Sequence, residues 1–428
     1  MSKLNALKNI SWLWTASLIG SGCAFLTQVT LARMLGPGGY GLFAATLAFM
    51  GIMVPLVGFG IPQFWLKEFG EKGWSAFYVI NGSFKAIGLS FVVVAVVVLL
   101  WVSMYKNGLD GNELTLLMIA FIAGQVSIEM VSAKLQLEDS YLKLAIWQMT
   151  PHVLRMAAIF AIGFLCGDYF DVRVAAGVYA LVGLGTMAVA YGHVKKIFEK
   201  SIDLKGHGVN KNQSNIADMN MMGVMADSWP FGLAALSHLI YFQSNIVLLE
   251  YLKGSEAVGE YNVAFTVVVA ILIFPGIVYQ KFLLPKMHRW AHQDRKLFFD
   301  IYNKGNWIML GIGVLAMVFV IILSPIIVSM LFGQRYMGSV DVLKILACSV
   351  PIVFVASSVG ATLVTQEHMR LKVRLMMFVA VINVVLNLLL IPKAGVNGAA
   401  VATVISNLFL MILYFWGAKR YVFPSKFD

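Results

Sequence analysis

Twelve long apolar stretches, separated by polar segments, follow one another along the 428 residues of the chain. Most of them reach the ~20 apolar residues that a helix needs to cross the hydrocarbon core of a bilayer. Backbone polar groups find no water in that core, so segments of this kind are expected to be helical. We place the spans at 12–34, 40–66, 77–105, 114–133, 143–166, 173–193, 229–252, 261–284, 305–330, 341–365, 375–392 and 399–417. The pattern predicts an all-α polytopic membrane protein of about 12 transmembrane helices.

A polar segment at 194–228 divides the predicted spans into two sets of six. It is rich in Asn and Gly, and it is too short for a nucleotide-binding domain. We interpret it as a cytoplasmic linker between an N-terminal six-helix lobe, 1–193, and a C-terminal six-helix lobe, 229–428.

An internal repeat supports two lobes. The sequence LARMLGPGGY at 31–40 has a counterpart in LLEYLKGSEAVGEY at 248–261, whose loop is four residues longer. Because each predicted lobe has an even number of spans, the two copies have the same orientation in the membrane. Such repeats are related by a pseudo-two-fold axis along the membrane normal, and we expect a cavity between the lobes.

Composition and charge narrow the class further. The chain is 60% hydrophobic and only 12% charged, which excludes an ordinary soluble enzyme. Its net charge of +11 would suggest nucleic acid in a soluble protein. Here most of the Lys and Arg residues lie in the terminal segments and alternate loops of one side, as the positive-inside rule requires. We therefore predict cytoplasmic N- and C-termini and no nucleic-acid partner.

Arg33, Lys85, Arg155 and Lys344 are among the cations that lie within predicted spans, where each costs at least ~2.5 kcal/mol on insertion scales and usually marks a functional site. Arg33 and Lys344 are close enough to span ends to reach headgroups. Lys85 is deeper, although its long side chain could still reach the interface. Arg155 lies roughly 18 Å from the start of its span, beyond the ~15 Å half-thickness of the core. Arg155 and Lys85 are thus the candidate anion-binding residues.

Polar residues share helix faces with these cations. Gln148 and His152 precede Arg155 at helical spacing, and Asn81 lies one turn before Lys85. The stripe around Arg155 fits either a wet cavity that binds an anion or a structural ion pair with Glu129, which shares a face with Gln125. Glu129 itself is a candidate coupling carboxylate or a partner for a nearby cation.

In the second half the polar groups are mostly uncharged. They form stripes within the seventh and eleventh predicted spans, with Ser237 and Tyr241 in the former and Asn383 and Asn387 in the latter. Such stripes suit sugar hydroxyls and equally suit hydrogen bonds between helices. At matched repeat positions stand Arg33 and Glu250, which could pair across the lobes and close an outer gate.

Over its whole length the chain resembles the bacterial polysaccharide repeat-unit flippases of the Wzx type, within the superfamily that also holds multidrug exporters and lipid II flippases. Four segments carry the resemblance: LARMLGPGGY at 31–40, LFGQRY at 331–336, NVVLNLLLIP at 383–392 and GVNGAAVAT at 395–403. These are loop and packing segments, so they indicate the fold more specifically than the substrate.

The resemblance implies translocation of undecaprenyl-diphosphate-linked oligosaccharide across the bacterial inner membrane, by alternating access, for O-antigen, capsule or exopolysaccharide synthesis. It implies as partners the lipid-linked substrate, membrane lipids, and a polysaccharide polymerase with its chain-length regulator. We expect no cofactor and no metal site, with coupling to a H⁺ or Na⁺ gradient left open. A multidrug exporter is one alternative, although it would favour acidic residues in the spans. The other is a membrane enzyme of polysaccharide assembly, which would need a larger outer loop or a catalytic His/Asp constellation.

Overall fold

A computed structural model of the chain describes residues 3–104, 108–207, 217–365 and 368–423. Over these residues the regular structure is helical. The α-helices are α1 (Lys3–Gly58), α2 (Ile61–Lys72), α3 (Ile80–Met104), α4 (Gly108–Leu117), α5 (Ile119–Leu137), α6 (Tyr141–Cys166), α7 (Val172–Phe198), α8 (Met221–Lys253), α9 (Ser255–Pro275), α10 (Leu284–Gln293), α11 (Arg295–Leu331), α12 (Ser339–Ala347), α13 (Ser349–Thr365) and α14 (Met369–Gly417). A 3-10 segment, Gly73–Val79, follows α2, and a π-helical segment, Gly276–Leu283, follows α9.

The predicted spans lie on these helices. Within the described residues, nine continuous helical stretches are long and apolar enough to cross a membrane. One of them, Ser11–Ser103, contains the first three predicted spans, and another, Met369–Val422, contains the last two. The prediction of an all-α polytopic membrane protein is confirmed, while the exact number of crossings stays a prediction.

Two glycines break long helices at the gaps between predicted spans. Within α1, Gly36 has φ 68° and ψ 176°, and within α14, Gly395 has φ 56° and ψ −132°. Both have positive φ, where a residue without a Cβ meets no steric cost. The loops predicted between the first and second spans and between the last two spans are therefore sharp kinks at a glycine, with helix on both sides.

Several helix ends differ from the predicted span ends. The second span was expected to reach residue 66, but α1 ends at Gly58 because Phe59 and Gly60 have left-handed φ values of 48° and 72°. The chain then continues as α2, which covers the last residues of the second predicted span and part of the polar break before the third. The predicted linker 194–228 is helical at both ends, in α7 and α8, and its residues 208–216 lie outside the described part.

By their internal contacts the residues form two compact units. The first unit comprises Met1–Thr27 and Thr46–Leu239, and the second comprises Gln28–Ala45 and Ile240–Asp428. The segment Gln28–Ala45, which contains the Gly36 kink, thus belongs to the second unit although it lies early in the sequence. The lobe boundaries inferred from the linker, 1–193 and 229–428, stay a prediction.

In the first unit, α5 and α7 approach each other closely through glycines. A Cβ on Gly124 would lie 2.5 Å from the Cα of Gly183, and a Cβ on Gly183 would lie 2.6 Å from the carbonyl oxygen of Ala120. Small residues allow this backbone approach in membrane helices, where dispersion and not hydrophobicity holds helices together. The close contact fixes the aromatic residues that α5 and α7 present to α6.

In the second unit, the two repeat segments pack against each other. A Cβ on Gly41 would clash with the carbonyl oxygen of Ser255, and a Cβ on Gly259 would clash with that of Pro37. Tyr336 donates a hydrogen bond to the carbonyl oxygen of Ala32 at 2.8 Å. The kink of α1 is therefore fixed by backbone contacts that leave no room for side chains.

Candidate functional site

Arg155 is buried between two aromatic rings in the first unit. Only 5% of the residue is exposed, and its guanidinium carbon lies 4.6 Å from the ring centre of Tyr179 and 5.2 Å from that of Phe121. These rings come from α7 and α5, the helices that Gly124 and Gly183 bring together. A desolvated cation over an aromatic face gains about 2 kcal/mol, which offsets part of its burial cost.

One edge of the Arg155 guanidinium has no partner. In the described part of the chain, its Nε and Nη2 atoms are buried and form no hydrogen bond. These two nitrogens are neighbours on the planar group, so they can donate to two oxygens of one phosphate or carboxylate. Buried polar groups are normally satisfied, which makes this donor pair a candidate binding group for an anion.

The ion pair considered for Arg155 is not formed. Among the described residues Arg155 has no carboxylate partner, and Glu129 lies beside α1, where a Cβ on Gly58 would be 3.5 Å from its Oε2. His152 also lies against α1, with its Cδ2 at 3.6 Å from a Cβ placed on Gly20. The coupling role of Glu129 stays a prediction.

The other cavity-lining residues predicted in the first unit have varied surroundings. Gln148 donates to Ser132 at 3.4 Å, Gln125 is partly buried, and Asn81 donates to Asp218. Lys85 is exposed, in contrast to the buried Arg155. The two cations predicted to share a diphosphate thus lie in different environments in this conformation, and their joint role stays a prediction.

In the second unit the predicted polar stripes bond to one another. Asn245 donates to Tyr261 at 2.9 Å and to Thr403 at 2.7 Å, and it accepts from Asn387 at 2.6 Å. Asn383 accepts from Ser244 at 3.0 Å and is only 1% exposed. This network joins α8, α9 and α14, so its members act in helix contacts.

The space beside this network is small. A cavity of about 30 Å³, lined by Tyr241, Asn383 and other network residues, has room for roughly one water molecule. Tyr241 donates to Asn407, and Ser237 donates to the carbonyl oxygen of Leu233 at 2.6 Å. Contact of these residues with sugars stays a prediction for another conformation.

Arg33 and Glu250 have separate partners within the second unit. Arg33 donates from Nε to the carbonyl oxygen of Leu331 at 2.7 Å and from Nη2 to that of Met330. It thereby caps the C-terminus of α11, where a cation is favoured by the helix dipole. Glu250 accepts from Ser255 at 2.8 Å. The outer gate would require them to meet in another conformation, and it stays a prediction.

The tyrosine that ends each repeat segment forms a hydrogen bond with an amide side chain that precedes the segment. Alignment of the glycines and tyrosines alone does not reveal this common feature. Tyr40 donates to Gln28, 12 residues earlier, and Tyr261 accepts from Asn245, 16 residues earlier, both at 2.9 Å. The difference of four residues equals the longer loop of the second copy. A sequence alignment of the copies that allows for this loop pairs the two amides, and that pairing is the signal that could have found them. Both tyrosines are fully buried, and each hydrogen bond joins the helical segment before the turn to the one after it.

Within the described ranges, no group of three or more His, Cys, Asp or Glu side chains could hold a metal ion. The helices and their order define a multi-pass α-helical membrane protein. A solved structure titled "Lipid II flippase MurJ, inward closed conformation" has this fold, with a TM-score of 0.76 at 13% identity. The match covers 95% of this chain and 87% of that one, and at this identity it shows the fold alone.

Sequence comparison places the chain in a family. The family model described as "Polysaccharide biosynthesis protein" matches residues 6–290. The "Probable low-salt glycan biosynthesis flippase Agl15" of Haloferax volcanii is 23% identical over 92% of this chain and 79% of that protein. The "Capsular polysaccharide biosynthesis protein CapF" of Staphylococcus aureus is 22% identical over 97% and 99%. The chain belongs to the polysaccharide biosynthesis protein family.

Proposed function

We propose that this protein is a flippase that carries undecaprenyl-diphosphate-linked oligosaccharide repeat units across the bacterial inner membrane. It acts as a transporter and not as an enzyme, and its termini lie in the cytoplasm. Family membership and relatives named as flippases and capsular polysaccharide proteins support the class. The proposed substrate is inferred mainly from one observation, the unpartnered, buried donor pair of Arg155.

The chemistry of the substrate fits this donor pair. A diphosphate at membrane depth needs a cation that stays charged, and guanidinium meets this need because it keeps its proton. Its two free nitrogens can hold two phosphate oxygens at once. Because Arg155 is buried here, the helices around it must part before the substrate can bind, as alternating access requires.

Lys85 completes the proposed binding site in the cytoplasm-facing state. Its exposed ammonium can contact the diphosphate before Arg155 becomes accessible. A H⁺ or Na⁺ gradient is the proposed source of energy, and Glu129 is the proposed coupling residue, since a carboxylate at membrane depth can bind either cation. A polymerase and a chain-length regulator would use the product in the outer leaflet.

Deletion of the gene tests the function. We expect surface polysaccharide to disappear and lipid-linked repeat units to accumulate in the cytoplasmic leaflet, and a plasmid copy should restore both. The measurement is electrophoresis of extracted polysaccharide together with the leaflet location of labelled lipid-linked units. Unchanged polysaccharide with new sensitivity to dyes or drugs would contradict the proposal and would support a multidrug exporter.

A further inference from the structure

An apolar groove runs between α6 and α7 in the first unit. It has a volume of about 600 Å³, within the range of pockets that hold small ligands. Ile146 and Leu154 line it from α6, and Leu181 and Val189 line it from α7. All four are exposed along an open side, with Leu181 69% and Val189 58% exposed. Side chains of this kind face lipid in a membrane protein, so the groove is open to the bilayer.

The groove is long enough for much of a hydrocarbon chain. It extends along α6 from Lys143 to Ala158, which is roughly 22 Å at the helical rise of 1.5 Å per residue. The hydrocarbon core of a bilayer is ~30 Å thick. A single extended chain could therefore lie in the groove over more than one leaflet's depth.

One end of the groove is basic. Lys143 and His193 line it there, and Lys196 lies one turn from His193 on α7. The His193 Nδ1 is buried and has no hydrogen-bond partner in the described part of the chain. Among the carboxylates of neighbouring segments, Glu138 pairs with Lys134 at 2.6 Å and Glu199 with Lys195 at 3.7 Å, while Asp139 accepts a hydrogen bond from Tyr141 at 3.0 Å. This end therefore favours an anionic group, while the opposite end is apolar.

We propose that this groove holds the polyprenyl chain of the lipid-linked substrate, with its diphosphate at Lys143 and His193. The inference rests on the proposed function and adds a loading site to it. A groove between two helices accepts one chain, and a polyprenyl carrier has one chain, whereas a phospholipid has two. Leu154 lines the groove and its neighbour Arg155 points to the interior, so α6 connects the loading site with the buried guanidinium.

Two glycines of α7 provide a matched pair of variants. Gly185 lines the groove, and a Cβ placed on it meets nothing within 4 Å. Gly192 is equally open but does not line the groove. Gly185→Phe should fill the groove without disturbing the helix, and Gly192→Phe is the control.

The experiment uses the full-length protein in nanodiscs of phosphatidylethanolamine and phosphatidylglycerol. The probe is a polyprenyl diphosphate without sugar that carries a photoreactive group in its tail. We expect crosslinks on α6 and α7 in the native protein and a reduction of at least about tenfold in Gly185→Phe, because losing two buried methylene contacts suffices for that factor. Gly192→Phe should crosslink like the native protein. If Gly185→Phe does not fold, Lys143→Glu should give a similar loss by repelling the diphosphate.

Three outcomes would overturn the loading site. One is native-level crosslinking in both Gly185→Phe and Lys143→Glu, and another is crosslinking to other helices only. The third concerns competition with the photoreactive probe. If added phosphatidylglycerol reduces crosslinking as much as added undecaprenyl phosphate does, the groove is a site for bulk lipid. Each of these leaves the deletion phenotype intact, so failure of the loading site is distinct from failure of the flippase function.

Discussion

At the scale of single residues, Arg155 combines high burial with an unused hydrogen-bonding edge. The aromatic rings of Phe121 and Tyr179 stabilise its charge without occupying Nε and Nη2. A residue held only for stability would be expected to pair with a carboxylate or a carbonyl group. The unused donor edge of Arg155 is what the proposed binding of an anion from outside the chain requires.

Replacement of Arg155 should separate stability from transport. We expect Arg155→Met to keep or raise the Tm of the purified protein, because it removes a buried, unpaired charge. The same variant, and also Arg155→Lys, should lose polysaccharide complementation, since neither offers two planar donors. Arg173→Ala is the control, because Arg173 is an exposed partner of Glu113. Full complementation by Arg155→Met would remove the guanidinium from the mechanism.

Glu68 gives a pH-dependent contribution to stability outside the spans. Burial alone would raise the pKa of Glu68, but hydrogen bonds from Lys72 at 2.6 Å and Tyr78 at 2.8 Å outweigh it and lower the pKa below its usual 4.5. A lowered folded-state pKa adds stability above the unfolded-state value, and this stability is lost as pH falls through the folded-state value.

The Tm of the native protein should therefore fall on acidification from neutral pH to below 4.5, and Glu68→Gln should show a smaller fall. At neutral pH the variant should have the lower Tm. The neighbouring Glu71, which is exposed on the same helix, gives the control Glu71→Gln. Parallel Tm curves for the native protein and Glu68→Gln would contradict this account.

At the scale of elements, glycines decide where helices bend and how closely they pack. Gly36 and Gly395 bend α1 and α14, whereas Gly41 and Gly259 have φ values open to any residue and are required by space. The two uses have different consequences for mutation. At a kink glycine, any side chain is disfavoured because the backbone has positive φ. At a packing glycine, a side chain is disfavoured because it would collide with the neighbouring helix.

The variants Gly41→Ala and Gly38→Ala test this packing within one short segment. A Cβ on Gly41 would clash with the backbone of Ser255, and a Cβ on Gly38 meets nothing within 4 Å. We expect Gly41→Ala to cost at least about 1–3 kcal/mol through overpacking, seen as a lower Tm or a loss of monodisperse protein. Gly38→Ala should behave like the native protein. Equal Tm values for the two variants would show that the segment has room to relax.

The apolar pattern was sufficient to predict an all-α membrane protein, because a span is defined by its own residues, but it did not predict helix ends such as that of α1 at Gly58. The position of Arg155 in α6 predicts its depth in the membrane, and the structure shows that the residue is buried among other helices. Its aromatic partners could not be predicted, since Phe121 and Tyr179 belong to other helices whose rotation no local pattern determines. The same limit applies to Asn245 and Asn387, whose hydrogen bond joins residues 142 positions apart. Sequence alone does not show which helices face such a stripe, and in this structure the facing helices are α8, α9 and α14.

At the scale of the whole molecule, the two units differ in the charge of their buried polar groups. The first unit contains the buried cation and the groove with its basic end, whereas the described network of the second unit is uncharged and internally bonded. A substrate with an anionic diphosphate and a long lipid chain would thus be bound mainly by the first unit. In the second unit, amide and hydroxyl groups join the helices to one another.

The assignment of Gln28–Ala45 to the second unit limits how the protein can be divided. A chimera that exchanges halves within 208–216 would combine a second unit from one homologue with the Tyr40 segment of another. The hydrogen bond from Asn262 to Tyr40, at 2.7 Å, and the cap that Arg33 places on α11 would then join residues of different ancestry. Recombination that moves 28–45 together with 240–428 should yield far more functional hybrids than a single crossover at the linker.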